Sequence, residues 1–137
     1  MKNYLIIGGS SGIGNELVRI IEKQGDKIYT TFNSNEIYSR ENVQYFKFDV
    51  NQDVLPLENI PDEIHGLAYC PGAINLKPFT RFKEEDFIDD FKFQVLGATK
   101  VIQHVLPNLK KSGNASIVLF STIAVQSGFN YHTQVAM

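Results

Sequence analysis

Tyr4-Leu5-Ile6-Ile7-Gly8-Gly9-Ser10-Ser11-Gly12-Ile13-Gly14 is the stretch whose reading decides the fold. An unbroken apolar run stops at two glycines. Such runs, without period-two alternation, mark strands buried on both faces of a parallel sheet. Beyond the glycines, Ile13, Leu17, Val18, Ile20 and Ile21 recur on one broad face of a predicted helix, with Lys23 near its end and Gly25 as its stop. A strand that turns through glycines into a helix is the context in which a glycine pattern points to a phosphate site. Gly8 permits the tight turn out of the strand. Gly12, without a Cβ, lets the backbone approach a pyrophosphate. Gly14 lets the helix pack close to the sheet. The first helical amides and the positive dipole end then face the anion, with Ser10, Ser11 and Ile13 inside the same loop. No Lys-Ser or Lys-Thr follows the last glycine, which excludes a P-loop.

Working outward, four more strands are predicted: Ile28 to Phe32, Val43 to Phe48, Gly66 to Cys70, and Ser116 to Phe120. Pro56 and Pro61 leave room only for a short helical turn between Val54 and Ile64, and Ala73 to Thr80 reads as a loop. The longest helical signal follows. Phe87, Phe91, Val95, Ala98, Ile102, Val105 and Leu109 recur at steps of three and four. Glu84, Glu85 and Asp86 suit its N-terminal dipole end, Lys110 and Lys111 its C-terminal end, and Gly113 stops it. Pro107 is expected to kink or thin its last turn. Strands alternating with helices imply an α/β fold: a Rossmann-like, doubly wound parallel sheet of about five strands.

Composition narrows the function classes. The chain has 137 residues, 43% hydrophobic and 20% charged, with a formal net charge of -2, so it can build a core and carries no basic excess for nucleic acid or anionic membrane. No apolar run reaches the roughly 18 residues that span a bilayer. A single cysteine, Cys70, fits a reducing cytoplasm. His65 and His104 share no metal-ligand spacing, so no metal site is expected.

The adenosine end of a dinucleotide needs partners after the second and third strands. The second strand ends Thr31-Phe32-Asn33-Ser34, with neither an acid for a ribose diol nor a base for a 2′-phosphate. The missing acid leans toward NADP over NAD, with Asn33 as the neutral group at that end. Asp49-Val50, closing the third strand, can meet the adenine edge.

These residues resemble the short-chain dehydrogenase/reductase family. Ile7 through Gly14 matches its glycine motif, with Ile7 where a threonine is usual, and Asp49-Val50 falls on its adenine-contacting pair. The resemblance implies an oxidoreductase that moves hydride between NAD or NADP and a carbonyl or alcohol substrate. It also implies a homo-oligomer paired through the long helix near residues 84–111, where Phe91, Phe93 and Ile102 add apolar surface. The family's Asn-Asn-Ala-Gly becomes Tyr69-Cys70-Pro71-Gly72, which keeps only Gly72 at the cofactor. Its helical asparagine becomes Gln94, three residues before Gly97. Its catalytic serine becomes Thr122, with Ser121 just before. The tyrosine position, thirteen past Thr122, holds Val135, and the last lysine is Lys111. Tyr131 lacks the lysine that would lower its pKa, so a loop aromatic is the expected reading.

Two alternatives follow from those departures. One is a dinucleotide-binding module without turnover, and the other a truncated piece whose sheet needs further strands or a partner. From the length of a two-halved dinucleotide fold, residues 1–137 are expected to be a single dinucleotide-binding domain that is incomplete at its C-terminal end, with the cofactor-binding part present and the substrate half missing.

Overall fold

The computed structural model describes residues 1–52 and 54–137. Strands β1 (Asn3–Ile7), β2 (Lys27–Phe32), β3 (Val43–Lys47), β4 (Gly66–Tyr69) and β5 (Ser116–Leu119) form one sheet in the order β3-β2-β1-β4-β5. Every neighbouring pair is parallel, with Tyr4 opposite both Ile28 and Gly66, and Ile7 opposite Tyr69. This is the Rossmann-like sheet expected from the apolar runs. The winding direction changes between β1 and β4, which leaves a crevice at the C-terminal ends of those two strands.

The pleat sends alternate side chains to opposite faces. Leu5, Ile7, Leu67 and Tyr69 point to one side and pack with Val101, Val105 and Leu109. Ile6, Ile28 and Ala68 point to the other and pack with Val18. Each fully buried Leu, Ile or Val contributes about 1.5–3 kcal/mol relative to exposure. Two layers of helix therefore sandwich the middle of the sheet.

Helix α1 (Gly12–Glu22) covers one face with a narrower stripe than the sequence pattern predicts. Val18 is buried and Leu17 and Ile21 are half-buried, but Ile13 and Ile20 are exposed. It ends as expected, with Gly25 at φ +80° and its amide donating to Glu22 O at 3.0 Å.

The opposite face is covered by α2 (Glu84–Phe91) and α3 (Gly97–Lys111), which run into one another through a π-helical turn at Lys92–Leu96. The turn corrects the expectation of one continuous apolar face. Ala98, Val105 and Leu109 are buried with Val101, whereas Phe91 and Val95 are about half exposed. The physical reason is that a π-turn inserts a residue into the helical count and rotates everything before it out of phase. Phe93 and Ile102 are half-buried against the core, so of the three residues proposed as extra surface only Phe91 stands out. Pro107 lies within α3, which continues to Lys111. The Asp86 carboxylate accepts the Lys83 amide at 2.8 Å and closes the N-terminus of α2.

Strand β5 lies at the edge of the sheet beside β4, and its Ile117, Val118 and Leu119 are each about half exposed. Among the described residues, no helix is long and apolar enough to cross a membrane.

Candidate functional site

The site grows from the turn between β1 and α1. Gly8 sits at φ +81°, and its amide donates to Thr31 Oγ1 at 2.9 Å. The Gly9 amide donates to Thr31 O at 3.0 Å. The neighbouring Thr30 hydroxyl donates to Ile6 O at 2.8 Å. A Cβ on Gly9 would collide with Thr30 Oγ1, and one on Gly14 would collide with the Gly8 carbonyl, so the helix start lies directly on the turn. Gly12, at φ +52°, is the opposite case: a Cβ there would meet nothing within 4 Å. Its open side is where a ligand can approach the backbone.

Ser11 precedes α1 in extended conformation and makes no side-chain cap. The first intrahelical bond is from Asn15 N–H to Ser11 O at 3.1 Å. The amides of Gly12, Ile13 and Gly14 therefore have no acceptor within the helix. Together with the dipole they form a binding end for an anion.

That end opens into a cleft of about 520 Å³ at the crevice between β1 and β4. Gly8, Ser10, Ser11, Gly12 and Ile13 line it from the turn, Thr31 and Asn33 from the end of β2, Val50 from beyond β3, and Gly72 from beyond β4. Gln94 and Val135 close the far side. The volume falls in the usual range for small-molecule sites. Two expected members do not line it. Gly14 acts from beneath, through packing. Asp49 shapes the chain after β3, accepting the Asn51 amide on Oδ1 at 2.9 Å.

A second cavity of about 510 Å³ adjoins the first and is lined by Ser121, Thr122, Cys70, Ile102 and Met137. Gly72, Gln94 and Val135 line both spaces. Thr122 Oγ1 accepts the Ala124 amide at 3.1 Å, which leaves the hydroxyl hydrogen available to an oxygen in the cavity. Gln94 Nε2 donates to Asp90 Oδ1 at 2.7 Å and to Ala73 O at 3.3 Å. The buried Gln134 amide donates to Asp86 O and ties the chain beside Val135 to the start of α2. Tyr131 takes φ +65°, is mostly exposed and lines neither space.

One thiol and one phenol, at the end of β4, line the site. Burial pushes the Cys70 thiol up to about 11 and holds the Tyr69 phenol above its ordinary range. Among the described residues, no group of three or more His, Cys, Asp or Glu is placed to hold a metal ion.

Sequence reasoning missed two members of this architecture. Thr31 fixes the glycine turn from a neighbouring strand; two threonines in succession inside an apolar strand were the only sign. Tyr69 donates its hydroxyl to Phe93 O at 2.6 Å. That contact joins distant segments and left no local pattern.

The sequence matches the short chain dehydrogenase family over residues 2–134. It is 27% identical over 139 residues to a tropinone reductase homolog of Arabidopsis thaliana, a match covering 89% of this chain and 53% of the relative. A second Arabidopsis tropinone reductase homolog is covered over 44% of its length, so the chain spans about half the length of the curated relatives it matches. Among solved structures, a short-chain dehydrogenase/reductase of Saccharomyces cerevisiae superposes with a TM-score of 0.86 at 18% identity, over 99% of this chain and 59% of that one. The NADP-bound structure of ElxO superposes with a TM-score of 0.80 at 23% identity, over 98% of this chain and 61% of that one.

Proposed function

The chain belongs to the short-chain dehydrogenase family, and on that premise we propose that it is the dinucleotide-binding part of an NAD(P)-dependent oxidoreductase acting on a carbonyl or alcohol. One observation carries the reading: the helix-start amides of Gly12 and Ile13, which have no acceptor within the helix, and a side-chain-free Gly12 open onto a cleft of about 520 Å³. These residues fit a pyrophosphate, because the amides supply donors and Gly12 leaves the approach clear.

In this reading Gly8 to Gly14 hold the pyrophosphate, Val50 and Asp49 border the adenine, and Asn33 meets the adenosine ribose. Gly72 gives the cofactor room beside β4. The nicotinamide supplies or takes up the hydride when bound. Thr122, with Ser121 beside it, donates a hydrogen bond to the substrate oxygen, and Gln94 fixes polar groups between the two spaces. The neutral set Thr31, Asn33, Ser34 and Asn35 around the adenosine end supports NADP over NAD, as does the NADP in the related ElxO structure. A homo-oligomer through the long helix belongs to the same proposal, supported by exposed Ile88, Phe91, Val95 and Leu106, as does a reducing cytoplasmic setting for the lone Cys70.

A second reading, a cofactor-binding module without turnover, is favoured by Val135. It lines both spaces at the position where the family has its tyrosine, and it can neither give nor take a proton. Fluorescence titration with NADH and NADPH tests both readings. A saturable change in the cofactor's own fluorescence is expected, tighter for NADPH, and no binding of either would overturn both. A carbonyl panel followed at the nicotinamide absorbance then separates turnover from binding alone.

A further inference from the structure

We propose that Tyr69 is the positioning residue that sustains the π-turn at Lys92–Leu96 and so aims Gln94 into the cleft, with Gly97 as its obligatory partner. In an α-helix each carbonyl accepts from the amide four residues on. The Gly97 amide instead reaches back five residues, to Lys92 O. Phe93 O is thereby left without the donor a regular helix would give it. The Tyr69 hydroxyl, arriving from β4, donates to that carbonyl at 2.6 Å. A buried carbonyl with no donor is costly, so this bond stabilises the π-turn against the regular helix. Burial keeps the phenol protonated, hence a donor, across the physiological range.

Gly97 completes the arrangement. A Cβ there would collide with the Tyr69 hydroxyl. The hydroxyl thus occupies the space that any larger residue at this position would need. Gln94 lies inside the turn, lines both cavities and bonds to Asp90 and Ala73. Converting the turn to regular helix removes one residue from the count and swings the preceding part by about 100° relative to α3. Gln94 would then leave the cleft, and Asp90 the adjoining cavity. What Gln94 acts on rests on the function proposed above; its placement by Tyr69 does not.

The test uses the full 137-residue chain, labelled with ¹⁵N, and follows the Gln94 side-chain amide signals and the exchange of the Gly97 and Ala98 backbone amides. Tyr69→Phe keeps the ring and removes the donor. It is expected to move the Gln94 signals toward free-glutamine positions and to speed exchange at Gly97 and Ala98 by about tenfold or more. Gly97→Ala is expected to shift the same signals while β1 and β2 resonances stay in place. Added to Tyr69→Phe, it should have little further effect, because the colliding oxygen is gone and the ring carbon behind it would stand 3.4 Å from the new Cβ. Unchanged Gln94 signals in either single variant, or independent additive effects of the two, would overturn the proposal. If Tyr69→Phe does not fold, Gly97→Ala alone decides. Titration of the same samples with NADPH is a separate readout. A wild-type chain that binds no cofactor rejects the functional reading and leaves the Tyr69 result to stand on its own signals.

Discussion

The Thr31 hydroxyl accepts the Gly8 amide at 2.9 Å, so the first glycine of the turn is held by the neighbouring strand. Thr31→Val keeps the shape and strands that amide in a part-buried place. The expected cost is about 1–3 kcal/mol, read as a lower midpoint in urea, with weaker cofactor binding. Thr31→Ser, which keeps the acceptor, should recover most of both. A valine variant as stable as the parent would show that the bond does not hold the turn.

Gly12 and Gly14 should separate binding from folding. Gly12→Asp projects a carboxylate into open space where the pyrophosphate is proposed to lie. Aspartate tolerates the left-handed backbone better than most residues, so the chain should fold while cofactor affinity drops by more than about 100-fold. Gly14→Ala puts a methyl into the Gly8 carbonyl and should lower the melting temperature before any ligand is added. Calorimetry with and without NADPH distinguishes them, and equal loss of stability in both variants would contradict the assignment.

Acid stability should report on Glu22. The Arg40 guanidinium grips its carboxylate through two bonds of 2.6 and 2.7 Å and holds it below the ordinary carboxylate range. The folded chain therefore binds this proton less tightly than the unfolded chain. Its contribution is complete at neutral pH and is lost as pH falls through the carboxylate range. Asp86, lowered by Lys77, acts with the same sign. Glu22→Gln should lower the melting temperature at pH 7 and flatten its decline between about pH 5 and 3. A variant whose melting curve parallels the parent's over that interval would rule this out.

Cys70 should be a slow nucleophile. Burial pushes its thiol up to about 11, so the thiolate is scarce at neutral pH. Iodoacetamide labelling, followed by mass spectrometry, should be far slower than for a free thiol and rise about tenfold per pH unit toward that value. Because Cys70 lines the cleft, NADPH should slow it further. Labelling at the free-thiol rate at pH 7 would contradict the burial argument.

What the sequence made legible was local. Gly8, Gly12 and Gly14 could be read because a turn and a helix start are set by a few adjacent backbones. β1 and β4 could be read because burial on both faces leaves unbroken apolar runs. The π-turn could not, since Phe87, Phe91 and Val95 keep an ordinary helical rhythm straight through it. Only Tyr69, from a strand far away in the chain, reveals why the rhythm fails there. Val135 was found by counting from Thr122, but that it lines both cavities, beside a Gln134 bonded to Asp86, is encoded by no local pattern. Asp49 was read as an adenine contact from its position alone; the structure adds that its carboxylate accepts the Asn51 amide after β3.

The strand order also sets a sequence of events in time. β1 is synthesised before the other four strands and lies between β2 and β4 in the sheet. It can pair early with β2, where Tyr4 meets Ile28, but its other edge must wait until Gly66 arrives from β4. Closing that longer loop carries the larger entropy cost. The wall of the cleft formed by Cys70, Pro71 and Gly72 arrives with it. A nascent chain thus owns the glycine turn well before it owns a binding cleft, and cofactor can select only chains whose two halves have already met.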